Sequence, residues 1–126
     1  MDAGSSAALV LLVEDDYAIR ESFAQILEEE GYRTAQAANG REALTYLLQA
    51  SQRPCVILLD LMMPVMNGWD FRAEQQRNPA IADIPVVVIS ADRTAGQAVG
   101  PLGVHDFLAK PVDIPRLLAT VKSACQ

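Results

Sequence analysis

Basic side chains are scarce in this chain: 10 Lys and Arg stand against 16 Asp and Glu, a net charge of −6. So acidic a surface argues against non-specific nucleic-acid or anionic-membrane binding, and leaves room for a cation site. Cysteine is nearly missing, with only Cys55 and Cys125 present. Two residues so far apart suggest neither a metal motif nor a disulfide framework. The expectation is a pair of structural thiols in a reducing compartment. There is one histidine, His105, with no partner at ligand or catalytic spacing, and it reads as a surface or partly buried loop residue. Long hydrophobic runs are also lacking, since none approaches the ~20 residues of a membrane span. The lead-in Met1–Ala8 has no basic segment of a secretory signal. No glycine-rich phosphate loop follows the first apolar run. These absences imply a cytoplasmic chain with no membrane insertion and no direct nucleic-acid contact.

What is present is a core. The chain has 126 residues, 51% of them hydrophobic, which suits one domain. Its centre is Val56–Asp60, an apolar run that ends abruptly in a carboxylate. Such a run reads as a strand buried on both faces. An unpaired acid inside it would be costly, so Asp60 belongs at the strand's carboxyl end. Leu9–Val13 and Val86–Ile89 are similar runs, closed by Glu14-Asp15 and by Ser90. Tyr32–Ala37, a weaker candidate, and Asp106–Ala109, followed by Lys110, complete five strand candidates.

Helices fill the intervals. Ile19, Phe23, Ile26 and Leu27 recur at helical spacing after Asp16, a cap, and before Gly31, a stop. Asn39 and Glu42 form a capping-box pattern before a stripe of Ala43, Leu44, Leu47 and Leu48. A weakly periodic helix is expected from about Gly68 to Arg77, with Trp69, Phe71 and Ala73 towards the core. Arg93–Val99 should be short or ragged because glycines and Pro101 crowd it. Asp113 caps a last helix with Ile114, Leu117, Leu118 and Val121 as its face. Alternating strands and helices imply an α/β, doubly wound parallel sheet with helices on both faces.

In a parallel sheet all the carboxyl ends lie on one edge, so Glu14, Asp15, Asp60, Ser90 and Lys110 can converge. Acids brought together repel, and a hard divalent cation with the lysine ammonium relieves the repulsion. A carboxylate in such a setting can serve as a phosphoryl acceptor, forming an acyl phosphate. The chain resembles the receiver domain of two-component response regulators in VEDD at 13–16, LLDLMMPVMNG at 58–68, VISA at 88–91 and FLAKP at 107–111. The resemblance runs from about Leu9 to Ala124.

It implies a single receiver domain over 1–126, core about 8–124, without an output domain. The implied fold is flavodoxin-like, with strand order 2-1-3-4-5. Asp60 would be the phosphoacceptor, fed by a histidine kinase or histidine phosphotransfer protein. Glu14 and Asp15 would hold Mg2+ (or Mn2+) with Asp60 and the Met62 backbone carbonyl. Lys110 would contact the phosphoryl group, Ser90 and Phe107 would be the switch pair, and Lys110-Pro111 would be cis. The domain would act on an unidentified downstream protein and would not be a turnover enzyme. The alternatives are a receiver fragment of a larger hybrid kinase or regulator, and a non-phosphorylated interaction scaffold. A magnesium-dependent phosphatase of similar topology is opposed by Met62, where such enzymes carry a second acid, and by the short chain. The segment from Ser90 to Lys110 is a couple of residues short for the family. That departure predicts that the dimer many receivers form through the fourth helix, fifth strand and fifth helix is not formed here. Met62, Met63 and Met66 read as loop-to-core packing.

Overall fold

The computed structural model describes residues 7–92, 94–98 and 100–126. The lead-in through residue 6, Arg93 and Val99 lie outside the described residues. Five strands alternate with five helices: β1 Leu9–Val13, α1 Tyr17–Glu29, β2 Arg33–Ala37, α2 Gly40–Gln49, β3 Val56–Asp60, α3 Gly68–Gln76, β4 Val86–Ser90, α4 Ala95–Ala98, β5 Asp106–Ala109 and α5 Ile114–Ala124. All strands are parallel, in the order β2-β1-β3-β4-β5. The order reverses between β1 and β3, which makes that seam the switch point where open α/β sheets bind ligands.

The period of two along each strand divides the core. Leu11, Val13, Ile57, Leu59, Val86 and Val88 face α2, α3 and α4. Val10, Leu12, Leu58, Val87, Ile89 and Leu108 face α1 and α5. Each of β1, β3 and β4 is buried throughout, as its unbroken apolar run requires. The caps at Asp16, Asn39 and Asp113 form where the sequence suggests them, and Asn67 adds one at the start of α3. Asp16, Asn39, Asn67 and Asp113 accept hydrogen bonds from the amides of Ile19, Glu42, Asp70 and Arg116. Gly31 follows α1 at φ 97°, a conformation open to glycine.

Four expectations need correction. Cys55 and Cys125 are not free thiols but form a disulfide, with Cα atoms 4.9 Å apart. Their separation of 70 residues in sequence is closed because β3 is central and the end of α5 packs over its start. Leu48 does not join the α2 stripe; it is 63% exposed. Met62 is not core packing but 70% exposed, whereas Met63 and Met66 do pack on the core. On α3, Ala73 faces solvent and the buried positions beside Phe71 are polar, Arg72 and Gln75. The reason is backbone demand. Arg72 donates to the carbonyls of Leu102 and Gly103 and to Gln75 Oε1, and Gln75 donates to the carbonyls of Ile81 and Ile84. Buried loop carbonyls need donors, and these two side chains supply them. Burial lowers the Arg72 guanidinium below its ordinary value. α4 is a single turn, as its glycine-rich surroundings predict, and a 3-10 turn at Gly100–Leu102 follows it.

Candidate functional site

The register of the sheet builds the site. Val13 lies beside Leu59, so the next residues, Glu14 and Asp60, leave adjacent strands together at the switch point. Asp60 is level with Ile89 and Ser90 with Ala109, which brings Ser90 and Lys110 to the same edge. Glu14 and Asp60 are 5% and 6% exposed, and Ser90 is buried. Carboxylate oxygens of Glu14, Asp15 and Asp60 lie within 4.8 Å of one another. Lys110 reaches across: its Nζ is 2.7 Å from Glu14 Oε1 and 3.6 Å from Asp60 Oδ2.

Backbone donors complete the arrangement. The Met62 amide donates to Asp60 Oδ1 (3.1 Å), the Asp16 amide to Glu14 Oε2 (3.1 Å), and the Asp92 amide to Ser90 Oγ (3.1 Å). Gly68 is required where α3 begins, because a Cβ there would stand 2.7 Å from the Asp60 carbonyl oxygen and 2.8 Å from Leu61 Cα. The Lys110-Pro111 peptide bond is cis. Phe107 is half-buried on the α2–α4 side, with its ring against Gly96. His105 is exposed, with Nε2 3.3 Å from Ser123 Oγ.

The electrostatics follow from this crowding. Asp15 is pushed above its ordinary value by partial desolvation first, then by its hydrogen bond to Glu14 and the Glu14 charge, although its side chain is open to water. Burial by itself would lower Lys110, but the hydrogen bond to Glu14 and the charges of Asp60 and Glu14 outweigh it and raise it. One ammonium thus faces three acids. Three hard oxygen donors with one carboxylate exposed form a donor set that fits Mg2+, which takes a few carboxylates and keeps its waters.

Two features escaped the sequence reading. Arg20 donates to the Glu14 carbonyl (2.6 Å) and to Gln36 (2.9 Å), bracing the end of β1 from α1. Nothing in the sequence distinguishes it from a solvated helix arginine. An apolar groove of about 600 Å3 opens beside Lys110, lined by Ile19, Ser22, Phe23, Ala91, Pro111 and Val112. Its walls come from three separate segments, so only the strand order could bring them together.

Residues 10–122 match the family described as the response regulator receiver domain, and the chain belongs to that family. Among curated proteins it is 35% identical to the alkaline phosphatase synthesis transcriptional regulatory protein SphR of Synechococcus elongatus, over 96% of this chain and 50% of that protein. It is 30% identical to the polar-differentiation response regulator DivK of Brucella anthropi, over 90% of this chain and 93% of that one. The chain therefore spans about half the length of SphR and nearly all of DivK. Among solved structures, chemotaxis response regulator CheY4 of Vibrio cholerae superposes with a TM-score of 0.85 at 30% identity, over 94% of this chain and 99% of that one. The fold is accordingly the flavodoxin-like arrangement of receivers, and the domain's role is signalling in two-component systems. Among the described residues no helix is long and apolar enough to cross a membrane.

Proposed function

We propose that Asp60 accepts a phosphoryl group from a phosphohistidine donor, a histidine kinase or histidine phosphotransfer protein. The observation that carries this reading is the convergence of Glu14, Asp15 and Asp60 with Lys110 at the carboxyl edge of the sheet. An oxygen of the Asp60 carboxylate attacks phosphorus. The bond from phosphorus to the donor's imidazole nitrogen breaks, and the imidazole leaves with the bonding pair and takes up a proton. Glu14, Asp15, Asp60 and the Met62 carbonyl would hold Mg2+, with Mn2+ as a substitute. When bound, the metal neutralises charge on the transferring phosphoryl oxygens. Lys110 then exchanges its contact with Glu14 for a phosphoryl oxygen, and Ser90 Oγ–H donates to another. Movement of Ser90 would open space that the Phe107 ring fills from its half-buried position. The changed face is read by a downstream protein.

The groove beside Lys110 suits the donor protein, because it offers apolar contact within reach of the acceptor. The domain acts in the cytoplasm, and its only chemistry is on itself. Incubation with Mg2+ and acetyl phosphate, followed by intact mass, tests the reading. One phosphoryl adduct is expected, dependent on Mg2+ and lost in Asp60→Asn. No adduct on the wild type would favour an interaction scaffold, and an adduct retained in Asp60→Asn would mean another acceptor.

A further inference from the structure

The Cys55–Cys125 bond joins two places that the fold already holds near each other. Cys55 stands just before β3, at the end of the sheet opposite Asp60, and its amide donates to the Leu9 carbonyl (2.8 Å). Cys125 caps α5, and its amide donates to the Val121 carbonyl (3.0 Å). Leu117 and Val121 are fully buried, so α5 docks on the sheet through its own apolar face. Both cysteines are only partly buried, packed at the margin of the α1–α5 core where a small thiol can reach them. A framework disulfide closes a domain that lacks a core. This domain has two core layers, and the bond sits at its rim, on its last helical turn.

We infer that Cys55 and Cys125 form a reversible dithiol–disulfide switch. When closed, it pins the end of α5 to the base of the strand that carries Asp60. When open, it leaves α5 anchored by Leu117 and Val121 and frees its last turn. Closure takes two electrons and two protons from the thiols, with a small-molecule disulfide of the glutathione class as oxidant, itself reduced to two thiols. Opening runs through a mixed disulfide with a dithiol reductant. The switch acts on the face shared by α1 and α5, the same face that carries the groove beside Lys110. It does not depend on phosphoryl transfer.

The test uses the folded chain, equilibrated first with glutathione disulfide and then with dithiothreitol. Free thiols are counted by intact mass after alkylation, and hydrogen exchange is followed in α5. The oxidised form should take no alkyl group and weigh about 2 Da less than the unalkylated reduced form. Native reduction should expose two thiols and speed exchange in the last turn of α5 by roughly tenfold or more. Cys55→Ser and Cys125→Ser should each match the reduced form. Two reactive thiols after oxidation would overturn the inference. So would a bond that yields only on unfolding, or exchange in α5 that is the same in both states.

Discussion

Asp15 shows how a single residue can be held in a place that costs stability. Its folded value lies above 3.8, its ordinary one, so its contribution to stability is present at lower pH and is lost as pH rises through the raised folded value. At neutral pH its ionised form is therefore a liability next to Glu14. Asp15→Asn should raise the melting temperature of the metal-free protein and abolish the further rise on adding Mg2+, read by thermal denaturation with and without the ion. A lower midpoint in the metal-free variant would sink this account. Mg2+ binding by the wild type should weaken as pH falls through the raised Asp15 value. Lys110 behaves oppositely in range: its pairing stabilises below 10.5 and fades only as pH rises through its raised folded value. Met62 matters for what it cannot do. An exposed thioether beside Asp60 does not orient an attacking water, so a phosphorylated Asp60 should be long-lived. Met62→Gln should shorten its lifetime roughly tenfold, followed by loss of the adduct mass over time. The acids, the hydroxyl and the lysine were legible in the sequence because each interrupts or closes an apolar run. Arg20 was not, because its role depends on which strand end lies under α1.

At the scale of elements, α3 is the informative one. β1, β3 and β4 were legible because burial on both faces leaves an unbroken apolar run, and the caps of α1, α2 and α5 because Asp or Asn precedes each start. The polar inner face of α3 was not, since Arg72 and Gln75 answer carbonyls that are distant in sequence: those of Leu102 and Gly103, and those of Ile81 and Ile84. No periodicity of apolar residues can announce a donor required elsewhere. The start of α3 is equally constrained. Gly68→Ala would push a methyl against the Asp60 carbonyl and Leu61, neither of which can yield without moving the strand end. Urea denaturation should show a loss of about 2–3 kcal/mol, by the ordinary cost of overpacking. The phosphoryl adduct should also form more slowly, because the shift is transmitted to Asp60. A variant as stable as wild type would mean that α3 starts further from β3 than the structure has it.

At the scale of the whole molecule, two core layers and one covalent link hold the chain together. The link closes a loop of 70 residues, and a loop-entropy argument gives it about 4 kcal/mol at most. Reduction should lower the urea midpoint accordingly, while leaving a single cooperative transition. Two transitions would show that α5 detaches as a separate unit. The pairing was hidden from the sequence reading because it needs the strand order: β3 is central, so its start lies beneath α5. The order itself came from the resemblance, since hydrophobic period says which residues are buried and not which strands are neighbours.

The contact between Lys110 and Glu14 spans 96 positions of the chain. Translation delivers β1 first, then β3, and β5 only near the end. Every nascent molecule therefore passes through a period when Glu14, Asp15 and Asp60 have been made and the lysine has not. β5 is the last strand made, and it joins the sheet at its edge, beside β4. The balanced cluster cannot assemble until synthesis has passed residue 110. An incomplete product released from the ribosome before that point carries the acids without their internal cation.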